Sequence, residues 1–503
     1  MSGIKKLAGQ TLWYGVSSIF ARFLNYLLTP YLTYKLSGSG FGEMSLVYAA
    51  IPFLNTLFLF GVETAYFRYI QKDDYKNDIY STLSISLITS TFTLCAMLMI
   101  FNVSFAHLIS IQDHPEYVTI SALIIAFDAL SALPFAKLRH EGRPVKFAFV
   151  RVSGIIINIA IIYFFLSVCP RILEKNENSP LLLLYHKDFG VGYILLANAV
   201  QSFYQLIILR KELFDFDWKF NFPMWKEVMV YALPLAIAGF AGMINETFDR
   251  IMLGWWAPVQ SIQAARFEVG TYSACYKLSI LITLFIQAFR MGAEPFFFKQ
   301  SLSEDAPKTY ARVMKFFVIT ITLMFLVVAL YLDIWKNFIQ NEAMWKGLTV
   351  VPILLFANMF LGIYYNLSIW YKLSQKTSAG AWITLIGAII TLVINAAFIP
   401  RFSYLACAWA TFFCYGSMMV VSYVWGQKRY PIPYATKKLC SYMVIVYVLY
   451  LIHHTVTGLW PREWLSLSLA TILTLGYLVF ILRIERKEFS KLPYVGKLIY
   501  RFI

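Results

Sequence analysis

Arg22 sits in the middle of an apolar run, with Ser18, Asn25 and Thr29 around it at helical intervals. On a helix these residues make one polar stripe along an otherwise apolar rod. A guanidinium at the centre of a bilayer costs about 2.5–3.5 kcal/mol on insertion scales, so the stripe has to face protein or water. Other apolar runs carry similar bases. Arg151 aligns with Ile155 and Asn158, Lys277 follows Ser273 by one turn, and Arg250 closes the stretch Asn245-Glu246-Thr247-Phe248-Asp249-Arg250. Arginine offers phosphate a two-pronged fork, and lysine offers it a point charge. Arg22, Asn25, Arg151, Arg250 and Lys277 therefore read as the lining of a water-filled basic cavity for an anionic headgroup. The competing reading is structural, with internal salt bridges or long side chains snorkelling to the interface.

The carboxylates suggest a second kind of chemistry. Glu63 lies two turns after Asn55, and Glu294 ends a later run; both suit gating or capping contacts. Glu246 stands four residues before Arg250, a spacing that allows a pair on one helix face. With Asp249 and Asp128 they are the residues able to carry a coupling ion, H+ or Na+, through a membrane. The six cysteines lie in or next to apolar runs without a C-x-x-C or a Cys/His cluster, which reads as small buried hydrophobes. No GxxxxGK[ST], HExxH or G-x-S-x-G motif occurs. The expectation is a transporter and not an enzyme, with no cofactor and no metal site.

Composition supplies the elements that hold these residues. The chain is 59% hydrophobic and 14% charged, where a soluble domain carries about 25% charge. Apolar runs of spanning length fall near 11–33, 44–67, 79–101, 117–137, 147–168, 190–209, 227–248, 268–289, 313–332, 347–370, 378–397, 403–425, 438–455 and 464–482. The fold class is an all-α polytopic membrane protein of about 14 transmembrane helices. Lys5 and Lys6 ahead of the first run resemble a signal peptide, but the run passes Tyr31 without a small-residue cleavage site and reads as a retained span.

Lysine and arginine alternate from loop to loop. Lys5 and Lys6, then Arg68, Lys72 and Lys76, then Lys137, Arg139, Arg143 and Lys146 begin a set that ends with the tail from Arg483 to Arg501. That set holds roughly three times the bases of the intervening loops, which puts both termini in the cytoplasm. The net charge of +16 is spread along these loops and not gathered with stacking aromatics, which argues against nucleic acid as a partner.

The chain also repeats itself. Phe41-Gly42, an apolar run and Gly61-Val62-Glu63 correspond to Phe267-Glu268, an apolar run and Gly292-Ala293-Glu294. Lys137-Leu138 leading to Asn158 corresponds to Lys372-Leu373 leading to Asn395. The offset is six spans, an even number, so the halves share one orientation. Two pseudo-symmetric six-helix lobes result, 1–210 and 227–425, with two further helices in 436–483 and a basic cytoplasmic tail in 484–503. Pro30, Pro52, Pro234, Gly239, Gly242 and Pro352 are the expected hinges, or ordinary membrane-helix kinks.

Asp249-Arg250-Ile251-Met252-Leu253-Gly254 and Val269-Gly270-Thr271-Tyr272-Ser273-Ala274-Cys275-Tyr276-Lys277-Leu278 resemble the seventh and eighth helices of the Wzx-like oligosaccharide and polysaccharide flippases. Those belong to the multidrug/oligosaccharidyl-lipid/polysaccharide exporter superfamily. The stretch from Gln287 to Lys299, Leu138-Arg139 and Gly142-Arg143-Pro144 also fit it. The resemblance implies a flippase that moves an undecaprenyl-diphosphate-linked oligosaccharide to the outer leaflet of a bacterial inner membrane by alternating access. It also implies a polymerase and glycosyltransferases as partners in the same pathway. The alternatives are a lipid II flippase of peptidoglycan synthesis, an ion-coupled multidrug exporter, and a membrane glycosyltransferase or polymerase. The exporter calls for an acidic cavity. The enzyme calls for a catalytic acid or a large outer loop.

Overall fold

The computed structural model describes residues 19–489 apart from 21, 73, 77, 177–178, 302 and 375. Residues 11–18 and 21 of the first span and most of the basic tail therefore lie outside the described residues. The rest of the first span ends in a short helix, α1 (Thr29–Lys35). Thirteen described helices are long and apolar enough to cross a membrane. They are α2 (Gly38–Tyr69), α3 (Ile79–Ile100), α4 (Pro115–His140), α5 (Pro144–Lys175), α6 (Val191–Ile208), α7 (Phe222–Trp256), α8 (Ile262–Gln300), α9 (Ala306–Ala329), α10 (Glu342–Leu373), α11 (Ser378–Phe402), α12 (Tyr404–Arg429), α13 (Thr436–Leu459) and α14 (Glu463–Ile484). They match the second to fourteenth apolar runs one for one. Ile100, Ile237 and Ile472 are among the many large apolar side chains left on the outside, as a lipid solvent requires.

Local sequence sets where these helices begin and bend. The Ser37 hydroxyl caps α2 by accepting from Gly40 N at 3.0 Å. Proline opens α4 and α5, where its missing N–H costs nothing. Further along α5, Pro170 cannot donate, and a wide turn over Phe164–Val168 precedes it. The sharpest break in α2 is not at Pro52 but at Phe60 and Gly61, both with positive φ. A Cβ on Gly61 would lie 2.7 Å from the Ala232 carbonyl, so the glycine also lets α2 close on α7. Its repeat counterpart, Gly292, lies in unbroken helix with open space around it.

Two compact units emerge. The first holds residues 1–274, 340–344 and 381–414. Its core packs Val62, Ala65 and Tyr66 of α2 on Ile79 and Leu83 of α3 and on Met224, Val228 and Ala232 of α7. The segment between α6 and α7 is fastened to it. Glu212, 3% exposed, accepts from Arg143 at 2.8 Å and Lys146 at 2.7 Å, and Lys137 reaches Asp215 at 2.6 Å. Burial works against the Glu212 charge, but these bases more than offset it and hold its carboxyl below the usual range.

The second unit holds residues 275–339, 345–380 and 415–503. There α14 is tied to α9 by a hydrogen bond of 2.8 Å between Thr322 and the Tyr477 hydroxyl. At the end of α14, Glu485 is 2% exposed and accepts from Lys315 at 2.7 Å, Lys438 at 2.6 Å and Tyr442 at 2.6 Å. Spans 13 and 14 are thus clasped to span 9.

Candidate functional site

In the first unit, charges from several of the spanning helices come near one another. Arg151 of α5 feels the charges of Asp128 on α4, Glu63 on α2, Arg139 at the end of α4, and Arg22. Asp128 is hydrogen-bonded to Ser202 on α6. The Arg151 guanidinium also lies 4.1 Å from the Phe135 ring centre, a cation–π contact that offsets part of its desolvation. Arg139 pairs with Glu63 and lies 5.0 Å from the Phe67 ring. Three guanidinium groups therefore share a neighbourhood with two carboxylates. Arg22 and Asn25 are helical and exposed on the described part of the first span.

A second centre forms around Asp249, 3% exposed on α7. Its Oδ2 accepts from the Tyr272 hydroxyl at 2.6 Å. Its Oδ1 accepts from the Arg250 backbone at 2.8 Å and from Arg250 Nη1 at 3.0 Å. Arg250 Nη1 donates as well to the carbonyl of Glu246 at 2.8 Å, while the Glu246 side chain is exposed. On α11 of the same unit, fully buried Asn395 has no hydrogen bond on either side-chain amide atom. A buried amide left open in this way suits a water or an ion.

The third centre closes the N-terminal ends of α2 and α8 on each other. A Cβ on Gly42 would stand 1.7 Å from the Arg266 carbonyl, and one on Gly270 would stand 2.2 Å from the Gly38 carbonyl. Only glycine allows backbones this close. Arg266, 2% exposed, then reaches Glu43 at 2.7 Å, Asp113 at 2.9 Å and the Ser110 carbonyl at 2.9 Å. Sequence reading missed this arginine. Its position just before the repeated Phe267-Glu268 was the available signal.

Lys277 and Glu294 belong to the second unit. Lys277 is half-buried on α8. Glu294 Oε1 accepts from Lys372 at 2.6 Å and from Arg290 at 2.9 Å. The repeat is visible in these contacts. Glu63 and Glu294 each pair with a base at the end of the helix two further along, Arg139 in one copy and Lys372 in the other. In sequence Arg139 stands out as a loop base within Leu138-Arg139 and Lys372 as part of the repeat, and neither points to its glutamate partner.

Comparisons with known proteins place this architecture. The model of a family described as polysaccharide biosynthesis protein matches residues 7–140 and 179–301, half of the chain. An uncharacterized membrane protein of Haemophilus influenzae is 21% identical over 291 residues, which span 57% of this chain and 64% of that relative. The chain thus covers less than two thirds of that relative's length. The lipid II flippase MurJ in an inward closed conformation superposes with a TM-score of 0.65 at 15% identity, over 94% of this chain and 99% of that one. A multidrug resistance MATE family transporter of the MOP superfamily, in an inward-facing conformation, gives 0.58 at 13% identity, over 84% and 94%. The chain belongs to the polysaccharide biosynthesis protein family, as a multi-pass membrane protein with the fold that MurJ and the MATE transporters share.

Proposed function

We propose that the chain is a flippase that carries a polyprenyl-diphosphate-linked oligosaccharide from the cytoplasmic to the outer leaflet of a bacterial inner membrane, for surface polysaccharide or lipopolysaccharide synthesis. The observation that carries this reading is the excess of guanidinium over carboxylate among membrane helices of the first unit. Arg22, Arg139 and Arg151 outnumber Glu63 and Asp128 there. A diphosphate is the anion such a surplus suits, and a drug cation is not. With the basic loops and both termini in the cytoplasm, the N-terminal ends of α2 and α8 face outward, and their contact closes the outer side. Alternating access then consists of parting these ends while lobes 1–210 and 227–425 close inward. Asp249 is the candidate for ion coupling, with H+ or Na+ as the ion, and Glu246 is exposed beside it.

Proteoliposomes loaded with a polyprenyl-diphosphate glycan on one leaflet test the reading. Wild type equilibrates the glycan, and an Arg22→Ala/Lys277→Ala double variant does so at least tenfold more slowly. Equal rates would remove these residues from the site, and no wild-type transport would remove the function. The likeness to a lipid II flippase supports a second reading, transport of lipid II. Essentiality separates the two, because loss of a surface-polysaccharide flippase leaves cells viable.

A further inference from the structure

The second unit holds one arrangement that the proposed function leaves unused. At the inner ends of α8 and α10, two bases converge on a single carboxylate oxygen. Glu294 Oε1 accepts from Arg290 Nε at 2.9 Å and from Lys372 Nζ at 2.6 Å. Arg290 spends only its Nε on the carboxylate; its guanidinium lies 4.7 Å from the Tyr365 ring centre. Its two terminal nitrogens make no hydrogen bond among the described residues. Beside them Asn366, 6% exposed, gives its amide N–H to the Gly362 carbonyl at 3.2 Å and leaves its Oδ1 buried without a partner. These five residues line one shallow hollow.

The repeat shows that a base one turn before the glutamate is specific to the second copy. In the first copy Glu63 pairs with Arg139. The residue four places before Glu63 is Leu59, and the residue four places before Glu294 is Arg290. Around Glu63 the further bases, Arg151 and Arg22, come from other helices, whereas Arg290 stands on the same helix as Glu294, one turn before it.

We propose that Glu294 is a placeholder, and that Arg290 and Lys372 form a phosphate-binding site for the anionic headgroup arriving from the cytoplasmic leaflet. The carboxylate keeps both bases in position while the site is empty. A diphosphate, with more charge and more acceptor oxygens, displaces it and engages the free prongs of Arg290. Asn366 Oδ1 then accepts from a hydroxyl on the adjoining sugar. The site belongs to the second unit, whereas Arg22 and Arg151 belong to the first, and on this proposal the second unit receives substrate first. The inference rests on the lipid-linked glycan reading above.

Full-length protein in phosphatidylcholine nanodiscs, titrated with farnesyl diphosphate, tests it. Glu294→Gln keeps the shape and removes the competing charge, so it binds about tenfold tighter, the ~1.4 kcal/mol equivalent of one charge-assisted hydrogen bond. Arg290→Ala and Lys372→Ala bind at least tenfold more weakly. A merely structural cluster gives the opposite for Glu294→Gln, with binding unchanged or weakened, and that result overturns the proposal. Inorganic pyrophosphate and discs containing phosphatidylglycerol identify the source of the phosphate. A gain confined to farnesyl diphosphate supports the prenyl-linked substrate. An equal gain with pyrophosphate or phosphatidylglycerol overturns that assignment in favour of a free anion or bulk lipid. Binding lost in Arg22→Ala and untouched in Arg290→Ala overturns this site and leaves the proposed function standing. No wild-type binding overturns both.

Discussion

Replacing Gly42 by alanine should open the outer side of the protein. The added Cβ would lie 1.7 Å from the Arg266 carbonyl oxygen, where ordinary contacts begin near 3.4 Å. The obstacle is backbone, so no rotamer change relieves it, and α2 and α8 must part by about 1.5–2 Å. Arg266 holds Glu43 at 2.7 Å and Asp113 at 2.9 Å, and a displacement of that size breaks both contacts unless its side chain follows. Overpacking of this kind costs about 1–3 kcal/mol in the closed state. An open state that does not contain the contact is spared that cost, so the ratio of open to closed rises by roughly 5–150-fold. Ser45, 8% exposed on the same helix, reports the change. With the native cysteines removed, Ser45→Cys should react with an impermeant maleimide from outside faster by that factor when Gly42→Ala is present. Gly292→Ala is the control, since its Cβ meets nothing within 4 Å. An unchanged labelling rate, with the Arg266–Glu43 pair still intact in a structure of the variant, would refute the steric argument.

Other outcomes follow from the buried charges. Burial works against the Glu485 charge, but Lys315, Lys438 and Tyr442 more than offset it and bring the carboxyl from 4.5 down to about 2. At about 1.4 kcal/mol per pH unit, the clasp contributes on the order of 3 kcal/mol at neutral pH. A depressed carboxyl stabilises above its unfolded value and loses that contribution as pH falls through its folded one. Glu485→Gln should therefore unfold more readily in detergent at pH 7, with the gap to wild type narrowing between pH 4.5 and 2. Glu212→Gln should show the same sign of pH dependence, because its carboxyl is also held low. Arg151→Met removes the positive charge that faces Asp128 and should lower stability, whereas Arg151→Met/Asp128→Leu should recover most of the loss. Thermal unfolding of both variants beside wild type checks this, and a double variant no better than the single one would show that the two charges are not coupled. Gly292→Ala, in open space on a continuous helix, should raise stability by up to about 1 kcal/mol through helix propensity.

The helices were legible because lipid imposes a length and a charge pattern on every span, and each apolar run from the second onward has its helix. Partner choice was not legible. Glu246 and Arg250 are correctly spaced for a helical pair, yet Arg250 also turns to Asp249 beside it and to the Glu246 carbonyl. Spacing states which groups can meet, while burial decides which of them must. Asp249 is sealed by Tyr272 from the next helix, and its charge draws the neighbouring guanidinium. Beyond its place before the repeated Phe267-Glu268, Arg266 gave little away, because its importance arises from Glu43, distant in sequence, and from two glycines whose role is to have no side chain. The expected hinges misjudged α2 for a similar reason. Pro52 stays within the helix, with Thr56 donating to its carbonyl at 2.9 Å, and the turn falls at Gly61, where α7 presses closest.

The repeat makes these particulars informative about function. Both copies keep the glutamate and its basic partner, so that pair meets a requirement common to both halves, holding the inner ends of two helices together. What differs between the copies is then free to specialise. The first copy breaks its helix at Gly61 and has Leu59 where the second has Arg290. The second copy keeps its helix straight through Gly292 and adds Arg290 to Glu294 and Lys372. A broken helix suits bending, and a straight helix with surplus charge suits holding an anion. On this argument bending belongs to the first copy, and the second adds a capture site to the arginines already gathered around Glu63 and Asp128. Exchanging Leu59 and Arg290 should move anion binding without restoring transport, as farnesyl diphosphate titration and glycan flipping on the same preparation would show.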